Sequence, residues 1–266
     1  MRGARPTPRL AFGARLDSGE RVLPEETAVA LSFNGTAQAV MMATPADLED
    51  FAYGFALTEG IARPDEILSV EVARGNRGLD VQVWLVPGAG ERLAQRRRTM
   101  AGPVGCGLCG IDSIDQALRE IVPVPPSGFR LTPAQVMAAV AALPERQPLH
   151  DATRAAHCAG LWLGEGMAAT REDVGRHNAL DKLAGHLARH SHGQGAVVLT
   201  SRVSIDLVQK VAAMGQPVLI AVSAPTADAV ALADRLGITL IALARPDRFE
   251  LFTHSDRIET QVPHVL

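Results

Sequence analysis

Four short apolar runs in the second half of the chain, at about 159–163, 196–200, 218–222 and 239–243, constrain the fold most. Amphipathic helix patterns separate them at about 177–189, 205–214 and 227–236. The first of these places Leu180, Leu183, Ala184 and Leu187 on one face. Strands that are apolar on both sides and alternate with helices imply a largely parallel sheet covered on both faces, hence an α/β fold.

The first half is β-rich. Residues 29–33 and 36–42 flank Asn34-Gly35, a dipeptide that tolerates positive φ at both positions of a tight hairpin turn. A helix should follow, with Thr44 as cap, Pro45 at its first position and Gly60 as its stop. Leu48, Phe51, Ala52 and Phe55 form its apolar face. A second hairpin is expected over 67–72 and 79–86, where Leu79, Val81, Val83 and Leu85 alternate with Asp80, Gln82 and Trp84 as a half-buried strand requires. Residues 87–110 are rich in Gly and Arg, and Asp112 or Ser113 caps a short helix running to about Val122. Pro123, Pro125, Pro126 and Gly128 mark a linker, which sets expected domains of 1–126, α+β, and 127–266, αβα. Thr132 and Gln135 form a capping-box pattern before a helix that Pro144 ends.

Composition excludes several classes of function. A net charge of −3 creates no general field for nucleic acid or an anionic membrane, and no apolar stretch approaches the roughly 18–20 residues that span a bilayer. The N-terminal arginines lack an apolar stretch beside them, so the start reads as a loose tail and the chain as cytoplasmic. Arg96-Arg97-Arg98 reads as a solvated linker. Three cysteines, two of them in one C-x-x-C, do not make a secreted disulfide framework.

The densest chemical signal is the run from Gly102 to Gly110, which holds Cys106 and Cys109 among glycines and a proline. Small neighbours leave the thiols accessible, and the helix expected next favours a thiolate, the species that attacks a persulfide or disulfide. Structural zinc is a rival, but it wants four ligands, and His157 with Cys158 would point to opposite faces of a strand. Thioredoxin-like redox chemistry and an inert buried pair remain further alternatives. No structural metal is expected.

Two other groupings carry polar chemistry. In the run from Arg171 to Lys182, Asp173 reads as a cap and Asp181 and Lys182 as a solvated face. Glu172, Arg176, His177 and Asn178 cluster where a helix opens, a place suited to a polar ligand. His157 alone reads more readily as a core histidine. The turns 200–204 and 223–226 each follow a strand and open a helix, with Ser204 and Thr226 also plain capping residues. Free N–H groups at such turns, together with Arg202, suit a nucleotide phosphate.

At these residues the chain resembles the formate dehydrogenase accessory sulfurtransferase family, FdhD. The resemblance rests on the Gly105–Gly110 cysteine loop, the run from Glu172 to Ala179, Ser201-Arg202-Val203-Ser204, Ala224-Pro225-Thr226, and the tail Phe249-Glu250-Leu251-Phe252-Thr253-His254. It covers roughly residues 20–260. It implies a cytoplasmic homodimer that takes sulfur from a cysteine desulfurase and sulfurates the bis(molybdopterin guanine dinucleotide) molybdenum cofactor for formate dehydrogenase. It also implies that the second domain is a cytidine-deaminase-like three-layer αβα sandwich. By motif, Cys106 is the persulfide carrier, Cys109 its partner, and Phe249–His254 the cofactor-binding stretch. Cys158 stands where the family is expected to carry Ala, and reads as a small buried replacement. Zinc-dependent base deamination is disfavoured, because Ala159 occupies the position of its general acid–base Glu. A non-catalytic cofactor chaperone for formate dehydrogenase is the other reading.

Overall fold

The computed structural model describes residues 3–13, 16–100 and 121–259. Strands β3 (Thr27–Phe33) and β4 (Thr36–Ala43) form the expected hairpin, with Asn34 at φ 48° and Gly35 at φ 75°. The Asn34 side chain also accepts a hydrogen bond from the Leu85 amide at 2.9 Å, which ties the turn to a neighbouring strand. That strand is β6 (Gly78–Leu85), which pairs with β3 in parallel and with β5 (Ile67–Gly75) in antiparallel fashion. The sheet order is therefore β4-β3-β6-β5.

Helix α1 (Leu48–Thr58) makes the crossover and packs Phe51, Ala52, Phe55 and Ala56 on Leu31, Phe33, Val81 and Val83. Thr44 does not cap it. The helix starts later, behind Asp47, and Thr44 is buried against the second half of the chain. Helix α2 (Pro87–Met100) takes in the three arginines that read as a solvated linker. Ala89 and Leu93 anchor it, and the rest of its sequence is rich in good helix formers. The expected helix up to Val122 falls mostly outside the described residues.

The N-terminus is not a loose tail. Strands β1 (Ala4–Phe12) and β2 (Leu16–Pro24) pair over their whole length as a separate ribbon. Pro6 and Pro8 obscured this pattern, yet proline is tolerated where one side of a strand is unpaired.

The second sheet has six strands in the order β12-β11-β10-β9-β7-β8. These are β7 (His157–Trp162), β8 (Met167–Asp173), β9 (Ala196–Leu199), β10 (Val218–Ala221), β11 (Thr239–Ala242) and β12 (Glu250–Leu251). Only β9, β10 and β11 are parallel neighbours. β7 is antiparallel to both β8 and β9, and β12 is antiparallel to β11, so the sheet is mixed. The sequence reading missed β8 because its residues carry the charged run. Helices α5 (Arg176–Arg189), α6 (Ile205–Ala213) and α7 (Ala227–Arg235) cover one face through Leu180, Leu183, Val208, Val211 and Ala233. Helix α3 (Pro133–Ala141), with the expected Thr132–Gln135 capping box, covers the other through Val136, Ala139 and Val140. Val197 and Leu199 face the first core and Ala196 and Val198 the second, so both faces are dry and the arrangement has three layers.

The two halves meet where α1 crosses α5. Gly54 and Gly185 lie at the crossing, each against backbone of the other helix. On either side sits a buried ion pair. Lys182 is fully buried, bonds Asp173 at 2.6 Å and the Thr44 carbonyl at 2.9 Å, and lies 5.9 Å from the Phe51 ring centre. Lys210 bonds Asp181, Glu59 and Thr58, with its charge 5.8 Å from the Phe55 ring centre. Asp181 and Lys182 are thus interior groups, not the solvated face expected from sequence.

Candidate functional site

β8, β9 and β10 point the same way, because β8 and β9 are both antiparallel to β7. Each ends by feeding a helix, α5, α6 or α7, so three helix N-termini open at one edge of the sheet. There the unpaired N–H groups and the aligned peptide dipoles favour negative charge. His157 starts β7 at the same edge, paired in register with Asp173.

The turns after β9 and β10 lie side by side. The Val203 amide donates to the Ala224 carbonyl at 3.2 Å, and the Thr226 amide to the Val203 carbonyl at 3.0 Å. A third turn joins them after β11, where the Leu243 amide donates to the Ser223 carbonyl at 3.2 Å. Leu243 takes φ 52°, an uncommon conformation for a bulky residue and one that collects at ligand clamps. The Arg245 guanidinium holds this turn to its neighbour by donating to the Val222 and Ala244 carbonyls.

Thr226 caps α7 conventionally, its hydroxyl accepting from the Ala229 amide at 3.2 Å. Ser204 has the extended backbone of a cap on α6, but its hydroxyl makes no capping bond and is buried without a partner among the described residues. His177, near the start of α5, has its Nε2 buried with no hydrogen-bond partner among the described residues and 3.8 Å from an Asp206 carboxylate oxygen on α6. Burial, followed by the nearby Arg176 and Lys210 charges, lowers its pKa to about 4. Near neutral pH it is therefore an uncharged imidazole with an uncommitted nitrogen. Burial and then the charge of Arg176 also lower the pKa of His157. Arg176 is partly exposed, and Arg202 is exposed with no ion pair among the described residues.

Arg176, His177, Arg202, Ser204 and Thr226 thus gather at this edge. Other sequence candidates do not. The Asn178 amide is buried and donates to the Met42 carbonyl and to Asp173 at 2.9 and 3.0 Å, a tie between the two halves. The Glu172 carboxylate accepts from the Leu149 and His150 amides and fixes the short helix α4 (Pro148–Thr153). The stretch Phe249–His254 begins at this edge, since Glu250 pairs with Ala242, but it runs antiparallel to β11 and leaves it. Phe249 packs on the α3-side core, Leu251 pairs with Ile241, and Phe252 is 39% exposed. The Thr253 hydroxyl is used up by the Ile238 carbonyl and the Leu240 amide, and His254 bonds the Asp234 carbonyl at 2.8 Å.

Cys106 and Cys109 lie outside the described residues. Cys158 is buried in the α3-side core, and burial pushes its thiol pKa far up, so it is an inert space-filler. Sequence reasoning missed Asp206, Leu243 and Arg245. The only signal for the last was the charged Arg245–Arg248 stretch directly after an apolar strand.

The fold and this edge define a three-layer α/β protein in which three helix N-termini open at one edge of the sheet. The comparisons then fix the family. Residues 24–259 match the family model described as FdhD/NarQ, and the chain belongs to that family. It is 54% identical to the "Sulfur carrier protein FdhD" of Agrobacterium fabrum, covering 91% of this chain and 90% of that one. The protein of the same name from Brucella abortus is 52% identical, covering 90% of each. A crystal structure assigned as a formate dehydrogenase accessory protein from Desulfotalea psychrophila superposes with a TM-score of 0.76 at 26% identity, covering 96% of this chain and 99% of that one. Among the described residues no helix is long and apolar enough to cross a membrane.

Proposed function

We propose that this chain is a cytoplasmic, homodimeric sulfur carrier for formate dehydrogenase maturation. Its relatives named as sulfur carriers support the role, and the gathering of three helix N-termini with Arg176 and Arg202 supports the type of substrate. In this reading the Cys106 thiolate attacks the outer sulfur of a cysteine desulfurase persulfide. A new S–S bond forms on Cys106, the donor's S–S bond breaks, and the donor cysteine leaves as a thiolate. Cys109, two residues away, assists or resolves the persulfide. The acceptor is the bis(molybdopterin guanine dinucleotide) molybdenum cofactor, bound as substrate, with its guanine nucleotide phosphates at the turns before α6 and α7 and formate dehydrogenase as the final recipient. Ser204 and His177 each present an uncommitted polar atom at that edge.

Intact-mass analysis after incubation with a cysteine desulfurase and cysteine tests this. The parent and Cys158→Ala should gain one sulfur atom, and Cys106→Ala should gain none. Persulfide retained on Cys106→Ala would move the carrier role to Cys109. No sulfur on the parent would leave a non-catalytic cofactor chaperone as the better account.

A further inference from the structure

We propose that His157 is a further ligand contact at the edge where α5 and α6 open, taking up a proton as the anion binds and donating a hydrogen bond to it; this rests on the reading above that nucleotide phosphates occupy that edge. Strand order gives the position. β7 lies between β8 and β9, and those two strands feed α5 and α6. β7 runs opposite to both, so its first residue stands beside their ends. His157 is that residue, paired on one side with Asp173. On the other side, the neighbouring Cys158 is tied to the start of the turn before α6. Its amide donates to the Thr200 hydroxyl at 2.9 Å, and the Thr200 amide donates to its carbonyl at 3.2 Å.

Alternation along β7 gives the direction. Cys158 packs in the α3-side core and Ala159 in the core under α5, α6 and α7, so His157 projects to the side of those three helices. It is half-buried there, and its imidazole makes no hydrogen bond among the described residues. Neither ring nitrogen is sealed off, unlike Nε2 of His177. His150 differs again, since its Nδ1 is engaged 3.0 Å from the Ala156 carbonyl oxygen. An open, uncommitted imidazole thus stands between two helix N-termini, whose free N–H groups favour negative charge.

The surroundings decide when it takes a proton. Burial, then the charges of Arg176 on α5 and His150 on α4, oppose the cationic form. From β8 the Asp173 carboxylate favours it, but the Thr44 and Gly175 amides, Asn178 and Lys182 already share that acid. Without an anion beside it, His157 is therefore a neutral imidazole near neutral pH. A phosphate brought next to it adds negative charge, which favours the imidazolium. The imidazolium then donates to a phosphate oxygen, a charge-assisted bond. The proton comes from solvent, so binding tightens as pH falls. A proton held about tenfold more tightly in the complex means, by linkage, an anion held up to about tenfold more tightly in acid.

Titration calorimetry of the full chain with diguanosine diphosphate tests the proposal. Both phosphates of this probe are esterified, so its charge stays fixed between about pH 6 and pH 8. The parent should bind roughly five- to tenfold more tightly at pH 6 than at pH 8. Its binding heat should also vary with the ionisation enthalpy of the buffer, the mark of proton uptake, which is read on the parent and needs no variant. His157→Gln keeps a hydrogen-bonding side chain but cannot take the proton, so its affinity should be flat across that range. His177→Gln should keep the proton uptake, because the His177 Nε2 is sealed off. Binding without proton uptake would overturn the His157 contact and leave the phosphate site standing. Uptake that survives His157→Gln would assign the proton to another group and overturn the contact as well. No binding by the parent at either pH would remove the phosphate site and His157 with it.

Discussion

A methyl group on Gly54 would collide with the Asp181 carbonyl, and one on Gly185 with the Asp50 carbonyl. Both obstacles are backbone, so neither moves aside without the helices parting. The contact matters because the residues beside it are charged. Lys182 and Lys210 are held in the interior only while α1 brings Thr44, Thr58 and Glu59 within reach. Desolvation alone would lower the Lys210 pKa, but Asp181 and Glu59 outweigh it and the net shift is upward. Gly54→Ala should therefore destabilise the protein by about 3 kcal/mol, as overpacking does at its upper range, and chemical denaturation would read it. A change below about 0.5 kcal/mol would mean that the helices can separate freely at this point. Neither glycine stands out in the sequence, because each sits inside an otherwise ordinary helix pattern.

At the scale of elements, three helices begin at one sheet edge because the strands before them point one way, and β7 slips between β8 and β9 without disturbing that. The turns before α6 and α7 are locked together by two backbone hydrogen bonds, so their helix ends share one opening. A guanine nucleotide should bind there without the pterin. A charge-assisted contact is worth about 1.5–3 kcal/mol, so Arg202→Ala should weaken GDP binding roughly ten- to a hundredfold. Titration calorimetry would measure it. Equal affinity in parent and variant would remove Arg202 from the site, and Cys106→Ala should leave the affinity unchanged. The turns and their arginine were legible in the sequence, since a strand, a short polar turn and a helix follow in order. The divergence of Thr253 and His254 was not, because it depends on β12 running antiparallel to its neighbour.

For the whole molecule, acid is the natural stress. Burial, as the largest cause, lowers the pKa of His157, His177 and His186 below that of an unfolded histidine. Such a group favours the folded state fully above the unfolded pKa, near 6.5, and that stability is lost as the unfolded chain takes up protons more readily. For His177 the loss runs from about pH 6.5 down to about 4. Moving from pH 7 to pH 5 should cost about 1–2 kcal/mol through His177, lowering the thermal midpoint. Around this imidazole stand Arg176, Lys210, Asp206 and Glu59, and the two acids oppose the shift. Calorimetric scans should show a smaller drop for His177→Gln than for the parent, and equal drops would acquit His177.

The sequence by itself determined the local elements and the kinship. Asn34-Gly35, the Thr132–Gln135 capping box, and the alternation of apolar runs with helices each act within a few residues, so they can be read in order. The motifs from Gly105 to His254 sufficed to name the family. What only the tertiary structure decided depends on partners far apart in the chain. Asp181 and Lys182 carry the pattern of a solvated helix face, yet both are buried, because Thr58 and Thr44 meet them from more than a hundred residues away. Asn178 looked like a ligand contact and is instead a brace between the halves, for the same reason. A charge is interior only if something neutralises it there, and no local pattern announces a neighbour that folding alone supplies.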